Sequence, residues 1–195
     1  MQHLSASGYD ETLIQKAIVY LTARFSESGN NPKPVILHSI RVATTLWSNG
    51  APQVSVIAAL LHDLLEDTDT THADIAKRFG TDVADIVRSL TIEKGQASYD
   101  VRLQAAVDSF ECSNSIGYDA LIVRAADLID NSYYYHKASY EQIDLLYRKY
   151  KKFMGISQNT IKPSVFWVLL QDNYDKNVRP LRTHAAKQRT PFYKL

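Results

Sequence analysis

A largely apolar run at residues 54–61 leads directly into a segment crowded with ionisable side chains, 62–67. The Ala and Leu content favours a helix, in which His62 and Glu66 stand one turn apart. Amphipathic surface helices carry their charges on the solvated face, whereas these charges continue a run that must be buried. Burying a carboxylate costs several kcal/mol unless a cation compensates. The segment therefore predicts a metal-centred active site.

Helical periodicity recurs along the chain, and no segment alternates with the two-residue period of a half-buried strand for long enough to build a sheet. The predicted helices cover about 10–26, 35–47, 52–65, 73–79, 83–90, 99–110 and 120–131, an amphipathic stretch at 132–153, and a last helix from 163 through 165–170. Spacing places Ile75, Phe79, Val83, Ile86 and Val87 in the core. The predicted fold class is all-α.

The length of 195 residues and a formal net charge of +1 describe one soluble domain, with no reason to bind a nucleic-acid polymer. We expect a lead at 1–9, the domain at 10–175 and a basic tail at 176–195 that lacks acids. Such a tail is usually solvated or disordered, although contact with substrate phosphate or with another subunit of a homo-oligomer stays open. The single cysteine, Cys112, excludes an internal disulfide. Neither a signal peptide nor a membrane span is indicated, so the expected compartment is the cytoplasm.

Four residues on three predicted helices form the candidate metal site: His38, His62, Asp63 and Asp127. Each stands beside an apolar run that faces the core. Two imidazoles with two carboxylates suit manganese, iron or zinc better than calcium or a thiophilic metal. A lone histidine on such a face is more often a hydrogen-bonded core residue, but four such residues together make that interpretation strained. Asp130 does not share the face of Asp127 and Asn131, and it is expected to be an exposed carboxylate or a helix-stabilising charge.

The stretch 28–34, Ser-Gly-Asn-Asn-Pro-Lys-Pro, cannot continue the first helix. With Arg24 and Lys33 near its ends, this loop could close over an anionic ligand. A solvated surface turn explains the same composition equally well, so both interpretations stay open.

The order His38, then His62-Asp63, then Asp127 resembles the metal-binding signature of the HD-domain phosphohydrolase superfamily. The string at 62–68, His-Asp-Leu-Leu-Glu-Asp-Thr, resembles more narrowly the hydrolase domain of the Rel/Spo alarmone enzymes and their single-domain small alarmone hydrolases. Further matches lie at 79–80, 90–94, 102–104 and 124–131, so the similarity covers about residues 10–155. The resemblance implies a single-domain helical bundle of the HD type.

What the resemblance implies for activity is removal of the 3′-pyrophosphate from guanosine tetra- or pentaphosphate, with manganese as the usual metal. The four residues of the candidate metal site match the family's ligands. Glu66 is then the first choice for the general acid or base, and Asp67 positions the water or the ribose. Asn131 is placed to hydrogen-bond the substrate, and Lys94 and Arg24 are candidate phosphate contacts.

Two departures from the alarmone-hydrolase pattern bear on the substrate. The loop before His38 is longer than the family's Arg-Lys-Ser-Gly-Glu-Pro-Tyr segment, and Leu128 stands where the family has a basic residue. Two other functions therefore stay open. One is hydrolysis of another phosphorylated nucleotide, such as an adenosine alarmone or NADPH, and the other is a nucleotide-binding protein of the same fold without turnover.

Overall fold

The computed structural model describes residues 8–29, 34–91 and 115–188, and helices make up most of all three ranges. In chain order they are α1 (Glu11–Ser28), α2 (Val35–Ser48), α3 (Gln53–Leu61), α4 (Leu64–Asp67), α5 (His72–Phe79), α6 (Thr81–Leu90), α7 (Ser115–Ser132), α8 (Tyr140–Ile161), α9 (Val165–Asn173) and α10 (Arg179–Gln188). A 3₁₀ turn occupies Tyr135–Lys137, and a π-helical turn, Tyr174–Val178, joins α9 to α10. No extended strand occurs in these ranges, and the all-α prediction is confirmed.

The apolar run seen in the sequence becomes the central helix of the bundle. Every residue of α3 from Ser55 to Leu61 is buried. This helix contacts α1, α2, α6 and α7, so it has no solvated face. A helix that is hydrophobic all round is stable only when neighbours surround it, which explains why its sequence shows so little amphipathic pattern.

The predicted continuous helix at 52–65 is wrong at the position that matters most for the site. The structure ends α3 at Leu61, forms a turn at His62 and Asp63, and starts α4 at Leu64. Successive residues of an unbroken helix point about 100° apart. Both residues of the turn keep right-handed helical backbone angles, and His62 Nε2 lies 3.1 Å from Asp63 Oδ1.

Local capping explains where several helices begin and end. The Asp10 side chain accepts a hydrogen bond from the Leu13 N–H at the start of α1. Thr71 and Asp74 form a capping box at the start of α5. Gly80, with φ of 96°, joins α5 to α6 in a conformation that residues with a Cβ rarely adopt.

The C-terminal part differs from the expected pattern in two places. The stretch predicted as one helix at 132–153 is interrupted by the 3₁₀ turn, and α8 starts after a capping box between Ser139 and Gln142. Part of the segment expected as a basic tail, 176–195, continues as helix to Gln188. Arg182 on α10 donates to Asp144 on α8 at 3.1 Å, which attaches α10 to the bundle.

Several sequence-based expectations fall outside the described residues. These are Lys94, Cys112, the helix at 99–110 and the loop positions 30–33. Among the helices that the structure does describe, none combines the length and the apolarity needed to cross a membrane.

Candidate metal centre

Three residues from three separate places in the chain meet in the interior. His38 comes from the first half of α2, His62 from the turn after α3, and Asp127 from α7. Each offers one ligand atom, and these atoms lie within 4.8 Å of one another. All three residues are buried. Direct packing of α2, α3 and α7 against one another produces this convergence.

The spacing of the three ligand atoms fits a single cation. His38 Nε2 lies 3.3 Å from His62 Nε2 and 3.2 Å from Asp127 Oδ1. His62 Nε2 lies 3.7 Å from the same Asp127 oxygen. Two ligand atoms that share a cation at ~2.0–2.1 Å, at octahedral or tetrahedral angles, are themselves ~3 to 3.4 Å apart. The two distances from His38 fall in this range, and the 3.7 Å between His62 and Asp127 is slightly longer.

The positions of the histidine protons support the same conclusion. His62 Nδ1 lies 2.8 Å from the carbonyl oxygen of Ala59, which can only accept, so Nδ1 carries the hydrogen. His38 Nδ1 faces a carboxylate oxygen of Asp130 at 2.7 Å and donates to it. In the neutral rings both Nε2 atoms then carry lone pairs, and both point at Asp127. Two imidazole nitrogens and a carboxylate oxygen with lone pairs turned toward one point are the kind of ligand set that divalent transition metals bind.

Asp63 stands at the edge of this cluster that is nearer to solvent. Its Oδ1 lies 3.1 Å from His62 Nε2, and its Oδ2 lies 3.9 Å from His38 Nε2. Its side chain is 18% exposed, against 5% for that of Asp127. The predicted fourth ligand is therefore adjacent to the other three, and its role as a ligand stays a prediction.

Neighbours on its own helix hold Asp127 in place. Arg124 donates to Asp127 Oδ2 at 2.7 Å, and Asn131 donates to Oδ1 at 2.6 Å. Burial alone would raise the pKa of Asp127, but the adjacent imidazoles of His38 and His62 and the positive charge of Arg124 hold that pKa well below its usual range. The carboxylate is therefore ionised at neutral pH, as a metal ligand must be.

Asp130 overturns the expectation that it is an exposed charge. It is buried, accepts from His38, and receives a bidentate pair of hydrogen bonds from Arg41 at 2.6 and 2.8 Å. Burial would raise its pKa, but the bonds from Arg41 and His38 outweigh burial and lower it to about 2. The position of Asp130, three residues after Asp127, could have indicated its burial, because residues three apart on a helix share a face as residues four apart do.

A cleft of ≈ 360 Å³ opens beside Asp127, between α7 and α8. Its walls combine two cationic side chains, two tyrosines, an amide and two leucines: Arg124, Lys149, Tyr134, Tyr135, Asn131, Leu128 and Leu146. Lys149 was not singled out from the sequence, because a lysine on the exposed face of an amphipathic helix carries no local signal. The cleft has the dimensions and polarity of a small-molecule site.

The remaining predicted contacts lie at various positions around the centre. Arg24 pairs with Glu27 and Asp69, and its Nε donates to Thr70 Oγ1 at 3.2 Å, so that it joins α1 to the turn after α4. Asn131 lines the cleft and also donates to the carboxylate of Asp127. In α4, Glu66 is exposed and Asp67 is half-buried.

Comparisons with known proteins agree with this geometry. Residues 17–112 match the HD domain family. A guanosine-3′,5′-bis(diphosphate) 3′-pyrophosphohydrolase of Aquifex aeolicus is 32% identical over 119 residues, which is 60% of this chain and 17% of that protein. The MESH1 proteins of Danio rerio and Drosophila melanogaster, named for the same activity, are 39% and 35% identical over 100 and 101 residues, about half of this chain. The chain thus spans under a fifth of the bacterial relative and about half of each MESH1 protein.

A solved structure shows the same fold over nearly the whole chain. It is that of a metazoan ortholog of SpoT, which hydrolyses ppGpp. The match has a TM-score of 0.63 and 22% identity, and it covers 93% of this chain and 99% of the other. The helical arrangement therefore extends well past the segment that matches the HD domain.

Proposed function

We propose that this chain, whose residues 17–112 match the HD domain family, is a metal-dependent hydrolase that removes the 3′-pyrophosphate of guanosine tetra- and pentaphosphate. The observation that carries the proposal is the cluster of His38, His62 and Asp127, with three acceptor atoms within 4.8 Å beside a cleft that holds cationic side chains. The relatives named for this activity support the choice of substrate.

The proposed metal ligands are His38, His62, Asp63 and Asp127, and manganese is the metal that the resemblance favours. When bound, a divalent cation supplies Lewis acidity that polarises the phosphoryl group and lowers the pKa of a water ligand. The chain must then position the substrate, accept the proton of the attacking water and protonate the leaving oxygen.

The proposed hydrolysis at the 3′ position is a substitution at phosphorus. Water adds to the phosphorus nearest the ribose, the bond from that phosphorus to the 3′ oxygen breaks, and the oxygen takes up a proton while pyrophosphate leaves. Glu66, exposed in α4 and three residues after Asp63, is the proposed group that carries the proton between water and leaving oxygen. Asp67 is the proposed partner that orients the water or the ribose.

Replacing Glu66 by glutamine is expected to lower kcat by about a hundredfold or more, because the amide can neither accept nor deliver the proton. Metal content is expected to stay at the wild-type level. Steady-state assays with elemental analysis of the same sample provide the measurement. Glu11→Gln, at the exposed start of α1, is the matched control. Full activity in Glu66→Gln would move the proton-transfer role to Asp67.

The cleft explains how phosphate groups would be held next to the metal. Arg124 already neutralises Asp127, with which it makes a 2.7 Å ion pair. Lys149 lies exposed on α8, and in the described part of the chain it makes no ion pair. A lysine ammonium is a phosphate-binding group, so Lys149 is the proposed contact for the substrate's phosphates.

Replacing Lys149 by glutamate is expected to raise KM by about 10- to 100-fold, the value of one hydrogen bond to a charged group, with kcat changed far less. Lys162→Glu is the matched control, since Lys162 is also an exposed lysine and directly follows the end of α8, ~20 Å from Lys149 along the helix axis. Unchanged KM in Lys149→Glu would show that the substrate's phosphates lie elsewhere.

One observation favours a different nucleotide as a second candidate substrate. Leu128, which stands where the alarmone hydrolases have a basic residue, lines the cleft. An apolar wall at this place removes a charge that could select among phosphorylated nucleotides. The deciding experiment loads purified protein with manganese, offers guanosine alarmones, adenosine alarmones and NADPH separately, and identifies the leaving group. Pyrophosphate released preferentially from the guanosine alarmones supports the proposal, and orthophosphate released only from NADPH overturns it.

A further inference from the structure

The two candidate histidine ligands are supported in different ways. His62 Nδ1 donates to the Ala59 carbonyl oxygen three residues earlier, a neutral contact made within its own segment. His38 Nδ1 donates to the carboxylate of Asp130, which belongs to another helix. The orientation of the His38 ring therefore depends on the packing of α2 against α7, whereas that of His62 does not.

A bidentate arginine fixes this carboxylate. Arg41 Nε donates to Asp130 Oδ1 at 2.6 Å, and Nη2 donates to Oδ2 at 2.8 Å. Both partners follow the ligands on their helices by three residues, Arg41 after His38 and Asp130 after Asp127. One face of each helix thus carries a metal ligand together with half of the supporting pair.

We propose that Asp130, held by Arg41, is the positioning residue that makes His38 a metal ligand. The carboxylate keeps the hydrogen on Nδ1, leaves the lone pair on Nε2, and aims Nε2 at His62 and Asp127. A carboxylate behind a ligating histidine also makes the ring a stronger ligand. This inference rests on the metal centre of the proposed function and does not depend on the identity of the substrate.

Arg41 extends the same network to the wall of the cleft. Its Nη2 donates to the hydroxyl oxygen of Tyr134 at 3.0 Å, and its guanidinium carbon lies 5.7 Å from the centre of that ring. Tyr134 lines the cleft beside the metal centre. A continuous chain of hydrogen bonds therefore runs from the cleft through Arg41 and Asp130 to His38.

The test measures metal affinity in metal-free protein, with no substrate present. Asp130→Asn keeps the size of the side chain but removes the charge and turns an amide N–H₂ toward Arg41. The dissociation constants for Mn²⁺ and Co²⁺, obtained by titration calorimetry, are expected to rise by about 10- to 100-fold. The visible absorption of bound Co²⁺ is expected to change as well, because the geometry around the ion changes.

The chain supplies a matched control in a second arrangement of the same kind. His72 Nε2 lies 2.7 Å from Asp85 Oδ1, and Arg88 donates to the same oxygen at 2.7 Å, on α5 and α6. Asp85→Asn therefore removes a carboxylate from an equivalent trio that supports no proposed ligand. Its metal affinity and Co²⁺ spectrum are expected to match those of the wild type.

A second variant keeps the inference testable if Asp130→Asn fails to fold. Arg41→Gln alters the more exposed member of the pair and is expected to weaken metal binding to a smaller extent. Wild-type affinity and an unchanged Co²⁺ spectrum in a folded Asp130→Asn protein would overturn the inference, as would a wild-type protein that binds no divalent cation. Weakened binding in a protein that does not hydrolyse guanosine alarmones would support the inference and overturn the proposed substrate instead.

Discussion

Replacing Asp63 by alanine is expected to abolish hydrolysis and remove most of the bound metal while the protein stays folded. The side chain lies at the edge of the cluster and is 18% exposed, so its loss leaves only a small cavity. A metal supplies several kcal/mol of transition-state stabilisation, which corresponds to a rate loss of about a thousandfold or more.

Elemental analysis, activity and thermal unfolding of the same preparation check this prediction. Asp82→Ala is a suitable control, since Asp82 is an exposed carboxylate in the first turn of α6. We expect it to keep both metal and turnover. Normal metal loading in Asp63→Ala would mean that Asp63 is not a ligand, and the site would then rest on His38, His62 and Asp127 alone.

Replacing Asp127 by alanine is expected to remove the metal and also to destabilise the fold. The carboxylate is buried and neutralises Arg124, whose side chain is only 14% exposed. Removing one partner of a buried ion pair leaves the other charge uncompensated, at a cost of about 3–5 kcal/mol. For a chain of this length the melting temperature is then expected to fall by roughly 6–20 °C.

Thermal unfolding with a chelator present provides the measurement, because bound metal itself stabilises the folded state and would obscure the comparison. Under these conditions Asp63→Ala is expected to melt close to the wild type, so the two variants separate loss of a ligand from loss of a buried charge. A melting temperature of Asp127→Ala within about 2 °C of the wild type would show that Arg124 finds compensation elsewhere.

The helical fold and the candidate ligands could be predicted because both leave local signals in the sequence. Apolar runs rich in helix-forming residues identified α3 and α7, and the polar residues that follow or interrupt those runs identified His62 and Asp127. The structure brings these two and His38 into one buried cluster. The match to the HD domain family covers 17–112, the part of the chain that contains His38 and His62.

Other features carried no such signal. The turn between α3 and α4 goes against the helix propensity of the surrounding residues, and no local pattern in the sequence marks it. In the sequence Lys149 is indistinguishable from other exposed lysines, and only the packing of α8 beside α7 places it in a cleft. Arg24 carries the positive charge expected of a phosphate contact, yet its observed partners are Glu27 and Asp69.

The helix class, the buried central helix and the residue types able to hold a cation are predictable from the sequence, because residue pattern and side-chain chemistry are properties of short segments. The burial of Asp130 behind His38 and its neutralisation by Arg41 become visible only in the packed bundle. Residues 41 and 130 are far apart in the chain, and which faces of α2 and α7 meet depends on how the two helices pack. That packing results from all the helices of the bundle together, so no single segment encodes it.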